Sequence, residues 1–286
     1  MVVLKTREEL RRWVKLNQNR ERVLVPTMGA LHRGHTSLFD EGVKAAGGEG
    51  DVLATIFVNP TQFGPNEDFD AYPRHFEEDL EKCENHGVTA VFAPSSAEMY
   101  EENASISVTE SSLSKHLCGA SRPGHFDGVC LVVSKLFLLT QPDAAVFGEK
   151  DFQQLAIIRR LVRDLNFPIK IISGKTVREK DGLALSSRNA YLSDKDRAEA
   201  PVIHAALKAA ANSIGDGSLT SPEEVITQLS TQINRASGAE IDYLAVVDAD
   251  TLEAVASFGQ NPIRILAAVH FGKTRLIDNI GVIGAD

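Results

Sequence analysis

Short apolar runs alternate with segments of helical periodicity over the first two thirds of the chain. The runs that read as strands lie at residues 22–25, 52–58, 90–93, 144–147 and 169–172. Between them, apolar residues recur at helical spacing in two groups: Phe76, Leu80 and Cys83, and then Leu155, Ile158, Val162 and Leu165. This alternation is typical of strands joined by helical crossovers. We therefore predict an α/β fold with a doubly wound parallel sheet.

The pattern changes after the polar stretch GKTVREKDG. Ile203, Leu207, Ala210, Ala211 and Ile214 form a helical stripe, a second helix follows Ser221, and residues 241–255 and 263–271 read as a β-meander. Residues 125–139 are apolar nearly all round, which predicts a helix buried against the sheet. We predict a first domain over residues 1–176 and a smaller α+β domain over residues 177–286.

Composition narrows the class of protein. The chain has 286 residues, of which 43% are hydrophobic, so it can bury a full core. It holds no run of about 18 apolar residues, and its N-terminus turns charged too early for a signal peptide. The net charge of -9 argues against nucleic acid as the main partner. Three cysteines without metal-ligand spacing favour free thiols. We expect a cytoplasmic protein with no membrane segment.

The stretch VPTMGALHRGH places a glycine turn and two histidines directly after the first predicted strand. This position is the carboxyl edge of the sheet, where open α/β sheets bind ligands. The helix that follows offers backbone N–H groups to an anion, and His32 and His35 add side-chain donors. Gly34 lets a nucleotide approach the backbone. The motif indicates a nucleotide cradle, although a glycine turn with two surface histidines explains an isolated H-x-G-H equally well.

Polar side chains follow two other predicted strands. Asn59 and Gln62 in VNPTQF offer amide groups at the same edge, although an Asn-Pro turn after a strand is also ordinary chain reversal. FGEKDFQQ places Lys150 at the end of the fourth strand and Gln154 in the next helix. Asp151 and Gln154 also match a capping box, which requires no ligand.

The loop LALSSRN supplies two hydroxyls and a guanidinium in sequence. Ser186, Ser187 and Arg188 form either a plain structural turn or a mobile clamp, with Arg188 able to bind pyrophosphate through two nitrogens. His125, in RPGHF, is either a site residue or part of a helix start. The sequence leaves these alternatives open.

Taken in order, these blocks resemble the pantothenate synthetase (pantoate–β-alanine ligase) family of the nucleotidyltransferase superfamily. The resemblance extends over nearly the whole chain: VPTMGALHRGH, FVNPTQF, YPR, VFAPS, SRPGHF, FGEKDFQQL, VREKDGLALSSRNAYLS and FGKTRLIDN. It implies a Rossmann-like first domain and a homodimer. It also implies that ATP activates pantoate as pantoyl adenylate with release of pyrophosphate, and that β-alanine then displaces AMP to give pantothenate.

The resemblance further implies roles for particular residues. His32, His35, Lys150 and Arg188 are expected to act in catalysis, with His35 as the proton donor. Gln62 and Gln154 are expected to bind pantoate, with help from Asn59. The implied ATP site comprises Met28, Gly29, Ala30, Leu31, His32, Arg33, Gly34, His35, Gly148, Glu149, Lys150, Asp151, Val177, Leu185, Ser186, Ser187 and Arg188.

Magnesium is expected together with ATP, and its protein ligands are unknown. Asp79 is a weak candidate, because a carboxylate on a charged helix face is usually just solvated. Three alternative functions remain: another nucleotidyltransferase, a class I aminoacyl-tRNA synthetase, and a nucleotide sensor that binds ATP without turnover. The paired glutamines and SSRN argue against the first, the acidic charge against the second, and His35, Lys150 and Arg188 against the third.

Overall fold

A computed structural model describes residues 1–65 and 67–282. The chain divides into two compact units. The first comprises residues 1–149 and 157–175, and the second comprises residues 150–156 and 176–286. The boundary predicted at residue 176 differs from this division at one segment, residues 150–156, which groups with the second unit.

The first unit is built on a parallel sheet. Within the described residues its strands are β1 (Val2–Leu4), β2 (Arg22–Thr27), β3 (Asp51–Ile56), β4 (Ala90–Phe92), β5 (Ala144–Gly148) and β6 (Lys170–Gly174). They lie in the order β1-β4-β3-β2-β5-β6, and neighbouring strands pair in parallel. The chain leaves β2 toward β3 and β4 on one side and later returns to β5 on the other. The switch point between β2 and β5 is where such sheets bind ligands.

Helices cover this sheet. They are α1 (Arg7–Leu16), α2 (Arg33–Ala46), α3 (Phe76–Asn85), α4 (Ser96–Met99), α5 (Leu117–Ser121), α6 (His125–Thr140) and α7 (Phe152–Asp164). Most side chains of α6 are buried, as its apolar sequence predicts. The chain passes from the second unit into the first within α7.

The second unit packs helices on an antiparallel sheet. Its helices are α8 (Asp194–Glu199), α9 (Val202–Gly215) and α10 (Pro222–Ile233), and its strands are β7 (Ala239–Asp248), β8 (Ile263–Phe271) and β9 (Thr274–Val282). Alternate residues of β8, namely Ile263, Ile265, Ala267 and Val269, share a core with the apolar stripe of α9. This period of two is the expected signature of a strand with one face on a helical layer.

The predicted fold class is confirmed, with differences in detail. The prediction missed β1, a three-residue strand too short for its alternation to stand out, and did not assign β9 as a strand. Placing Leu165 on the helical stripe was wrong: α7 ends at Asp164, Leu165 is 52% exposed, and Asn166 adopts a φ of 55°. A left-handed residue ends the helix there. Within the described residues, no helix is long and apolar enough to cross a membrane.

Candidate active site at the switch point of the parallel sheet

The turn after β2 runs through two consecutive residues with positive φ. Gly29 has φ +83° and Ala30 has φ +51°. A Cβ on Gly29 would lie 3.0 Å from an oxygen of Asp79 and 3.2 Å from Ile56, so both conformation and space require glycine. The left-handed conformation of Ala30 costs about 1–2 kcal/mol. Other contacts must therefore hold this turn in place.

Asp79 of α3 supplies those contacts. Its Oδ2 accepts the N–H of Ala30 and its Oδ1 accepts the N–H of Leu31, both at 2.8 Å. The Asp79 side chain is 1% exposed, and Lys82 of the same helix donates to the carbonyl of Leu31 at 2.9 Å. One carboxylate and one ammonium thus fix the backbone of the turn.

These contacts contradict the expectation that the Asp79 carboxylate is simply solvated. The residue is buried, and both of its oxygens accept backbone N–H groups. Across residues 1–65 and 67–282, no group of three or more His, Cys, Asp or Glu side chains is placed to hold a metal ion.

Two histidines begin α2 and cap it reciprocally. His32 Nδ1 accepts the N–H of Gly34 at 3.1 Å, and His35 Nδ1 accepts the N–H of His32 at 3.3 Å. The ring centroids lie 4.1 Å apart. Since each Nδ1 is an acceptor, a neutral imidazole carries its proton on Nε2. The helix start therefore combines its partial positive charge with two Nε2–H donors.

Asn59 and Gln62 lie at the 3₁₀ turn Pro60–Gln62 that follows β3. Asn59 is 1% exposed, and its Nδ2 donates to Gln62 Oε1 at 3.0 Å and to the Gly128 carbonyl at 3.2 Å. Its Oδ1 accepts the hydroxyl of Tyr100 at 2.7 Å. Gln62 Nε2 contacts Met28 Sδ at 3.3 Å. Asn59 is thus placed to orient Gln62.

His125, the first residue of α6, also contacts this 3₁₀ turn. His125 Nδ1 lies 2.7 Å from the Gln62 carbonyl, and His125 Nε2 lies 3.0 Å from Arg122 Nη1. Because arginine can only donate, His125 Nε2 is the acceptor and Nδ1–H donates to Gln62. Arg122 also binds Glu67 through two nitrogens, at 2.7 and 2.6 Å. His125 thus both begins α6 and supports the turn, its side chain acting through the Gln62 carbonyl.

The Arg122–Glu67 pair favours the ionised form of Glu67. The hydrogen bond from Arg122 is the largest cause that lowers the pKa of Glu67 below its ordinary value. A lowered folded-state pKa means that the stabilisation is present above the unfolded pKa and is lost as the pH falls through the folded one. We therefore expect the support that Arg122 and Glu67 give to the turn to be lost at acidic pH, when Glu67 becomes protonated.

The remaining predicted residues lie in or next to the second unit. Gly148 ends β5 and Glu149 follows it in the first unit, whereas Lys150, Asp151 and half-buried Gln154 belong to the second. Residues 149–151 form a 3₁₀ turn, and α7 begins at residue 152.

Within the second unit, the backbone joins two of the predicted ATP-site segments. The N–H of Leu185 donates to the carbonyl of Val177 at 3.0 Å. Ser186 caps the 3₁₀ helix Ser187–Tyr191 by accepting the N–H of Arg188 at 3.3 Å. The Ser186 hydroxyl therefore has a structural role as a helix cap.

Comparison with known proteins assigns the family. The family model described as pantoate–β-alanine ligase matches residues 2–281. The chain belongs to the pantoate–β-alanine ligase family. It is accordingly a ligase, as the sequence motifs predicted.

Relatives in this family align over nearly the full chain. A pantothenate synthetase of Akkermansia muciniphila is 52% identical over 258 residues, covering 90% of this chain and 91% of that protein. A pantothenate synthetase of Pseudomonas savastanoi is 49% identical over 284 residues, covering 98% of each. The similarity therefore includes both units.

Solved structures of pantoate–β-alanine ligases share the fold. The pantothenate synthetase of Thermus thermophilus superposes with a TM-score of 0.92 at 43% identity, covering 99% of this chain and 100% of that one. The Francisella tularensis ligase, solved with β,γ-ATP and β-alanine, gives 0.79 at 33% identity, covering 98% and 97%. These matches confirm the Rossmann-like sheet and the small second unit.

Replacing Asp79 by asparagine tests its support of the turn. Asp79→Asn turns one acceptor oxygen into an NH₂ group that faces a backbone N–H. Urea unfolding should show a loss of about 1–3 kcal/mol, the usual cost of an unsatisfied buried donor. Glu78→Gln on the same helix, where the carboxylate is 68% exposed, is the matched control and should change little. Equal effects of the two variants would contradict the assigned role.

The substitution Gly128→Ala tests how closely α6 packs against the backbone of Thr61 and Gln62. A Cβ there would lie 2.2 Å from the carbonyl oxygen of Thr61 and 2.7 Å from the Gln62 nitrogen. Gly128→Ala should therefore destabilise the protein by about 1–3 kcal/mol through overpacking. The control is Gly215→Ala, because a Cβ at that helical glycine meets nothing within 4 Å. A Gly128→Ala variant as stable as Gly215→Ala would show that the contact is easily relieved.

Proposed function

We propose that this ligase condenses pantoate with β-alanine, driven by ATP, through a pantoyl adenylate. In the first step a carboxylate oxygen of pantoate bonds to the α-phosphorus of ATP, and the bond to pyrophosphate breaks. In the second step the amine of β-alanine bonds to the acyl carbon. The bond from that carbon to the AMP oxygen then breaks, and the nitrogen loses a proton. Neither step requires a nucleophile from the protein.

The start of α2 is the observation that carries the proposal. It lies at the switch point of the sheet, where the Nδ1 atoms of His32 and His35 form the helix cap and the proton of each neutral ring is on Nε2. Preorganised donors of this kind stabilise charge that grows on phosphate oxygens in the transition state. We assign His32 to the phosphates and His35 to proton donation. Met28, Gly29, Ala30, Leu31, Arg33 and Gly34 complete this part of the ATP site.

Two glutamines are proposed to bind pantoate. Gln62 is held through its side chain by Asn59 and through its carbonyl by His125, which gives its amide a fixed orientation. Gln154, half-buried near the start of α7, is the second. The Francisella tularensis relative was solved with β,γ-ATP and β-alanine, which supports ATP and β-alanine as co-substrates for this chain.

The second unit is proposed to supply positive charge to ATP. Lys150 and Arg188 are assigned this role on the family resemblance, together with Gly148, Glu149, Asp151, Val177, Leu185, Ser186 and Ser187. Magnesium is expected to be held mainly by the phosphates of ATP and by water, as this ion usually is. A homodimer and a cytoplasmic location remain predictions from the sequence.

The identity of the products distinguishes adenylation of pantoate from a reaction that releases ADP. With ATP, magnesium, pantoate and β-alanine, the protein should form AMP and pyrophosphate in step with pantothenate, measured by liquid chromatography. His35→Asn keeps an acceptor for the His32 N–H but lacks Nε2, so it should fold normally and lose about 100-fold or more in rate. His86→Ala, which removes a partly exposed imidazole bonded to Asp40, is the control and should retain the rate. Release of ADP, or full activity of His35→Asn, would contradict the mechanism.

Gln154 distinguishes a substrate contact from a helix cap. If its amide binds pantoate hydroxyls, Gln154→Ala should raise the KM for pantoate more than it lowers kcat, because the contact acts in the ground state too. If Gln154 only completes a cap with Asp151, its loss should cost roughly 1 kcal/mol of stability and leave pantoate binding unchanged. Thermal melting and pantoate titration on the same sample decide between them. A lowered Tm with unaltered pantoate affinity would contradict the assignment.

A further inference from the structure

Two polar side chains are buried within the small sheet of the second unit. Arg264 of β8 is 7% exposed and Asn279 of β9 is 5% exposed. Asn279 lies opposite Leu266, so Arg264 is its diagonal neighbour on the same face. Arg264 Nε donates to Asn279 Oδ1 at 2.8 Å. This is the face opposite to the one on which Ile265 and Ala267 join the core with α9.

Both side chains contact the segment 150–156. Asn279 Nδ2 donates to the carbonyl of Lys150 at 2.9 Å. The guanidinium carbon of Arg264 lies 4.1 Å from the ring centroid of Phe152, which is 5% exposed. The segment is thus held at two points two residues apart, and the side chains that hold it are bonded to each other.

The energetics of these contacts argue against a role in packing alone. Burying a guanidinium costs several kcal/mol unless its surroundings compensate, and an apolar residue of similar volume often gives equal or greater stability. The core that β8 shares with α9 is formed on the opposite sheet face. What the pair does provide is a fixed position for the backbone of Lys150 and the ring of Phe152. Lys150 carries one of the charges assigned to the reaction, and its side chain is 21% exposed.

We propose that Asn279 and Arg264 are positioning residues for Lys150 in the adenylation step. Asn279 sets the Lys150 backbone, and Arg264 fixes both Asn279 and Phe152, so that the point from which the Lys150 side chain extends is held in place before ATP binds. The inference rests on the proposed function, in which Lys150 stabilises charge on the phosphates. Misplacing such a group by about 1 Å can cost on the order of 100-fold in rate.

Asn279→Asp tests this with little change in volume. One carboxylate oxygen still accepts from Arg264, but the other now faces the Lys150 carbonyl, so an attractive contact becomes a repulsive one. The single-turnover rate of adenylation at saturating ATP and pantoate should fall about 10- to 100-fold, with a smaller change in the KM for ATP. Arg275→Gln on the same strand removes a guanidinium that binds Asp242 at 2.7 Å, and this control should retain the rate.

A double-mutant cycle with Lys150→Ala decides whether the effect passes through Lys150. If it does, Asn279→Asp should lower the adenylation rate of Lys150→Ala by less than about twofold, because coupled residues are not additive. If Asn279→Asp slows Lys150→Ala by the same factor as it slows the parent chain, the proposal is overturned.

Arg264→Lys provides a second variant in case Asn279→Asp folds poorly. It retains the charge but lacks the planar guanidinium, so its rate should also fall, and the fall should vanish in the Lys150→Ala background. Full activity of Arg264→Lys would count against the proposal. A parent chain that forms no adenylate would refute the proposed function itself. This inference alone would be refuted by three results together. The parent chain forms the adenylate, Lys150→Ala slows adenylation, and Asn279→Asp slows both proteins by the same factor.

Discussion

The two hydrogen bonds that Asp79 accepts are the constraint on which the site in the first unit depends. The turn at Gly29 and Ala30 has two positive φ angles in succession, a conformation that an alanine does not favour. Held at 2.8 Å by one buried carboxylate, the turn delivers the chain to the start of α2. The histidine pair follows directly, so its orientation depends on a contact from a helix more than forty residues further along the chain.

A similar device recurs at two other residues assigned to substrates. In each case a polar side chain holds the backbone or the amide of the assigned residue. Asp79 does so for the turn after β2, Asn59 and His125 do so for Gln62, and Asn279 does so for Lys150. Such contacts are made before substrate binds, which is what electrostatic preorganisation requires. They also explain why the unit boundary falls next to Lys150, since residues 150–156 are held by β8 and β9.

The sequence predicted the architecture well because both units follow simple periodicities. Buried parallel strands read as apolar runs, α6 reads as apolar all round, and the stripe of α9 has a helical period. The errors came where those signals are weak: β1 has three residues, and Leu165 continues a periodicity that a left-handed residue interrupts in the structure.

The site was predictable only in part. Motifs marked the histidines, the glutamines and Lys150, because those residue types suit phosphate and hydroxyl groups. The supporting residues Tyr100, Arg122, Glu67, Arg264 and Asn279 were missed, since each acts through a contact that sequence spacing does not show. Asp79 was misread for a physical reason: its neighbours Glu77 and Glu78 are exposed, and only the tertiary fold reveals that the third acidic residue of that turn is buried. The FGKTRLIDN block, quoted for the family resemblance, contains Asn279 but gave it no role.

Oxygen transfer from pantoate to AMP is the most direct test of the central claim. Pantoate labelled with ¹⁸O in both carboxylate oxygens is incubated with the protein, ATP, magnesium and β-alanine, and the products are analysed by mass spectrometry. Attack of the carboxylate on the α-phosphorus predicts one ¹⁸O atom in each AMP formed and one retained in pantothenate. AMP without ¹⁸O, or ¹⁸O found in inorganic phosphate, would contradict the pantoyl adenylate on which this account of the site depends.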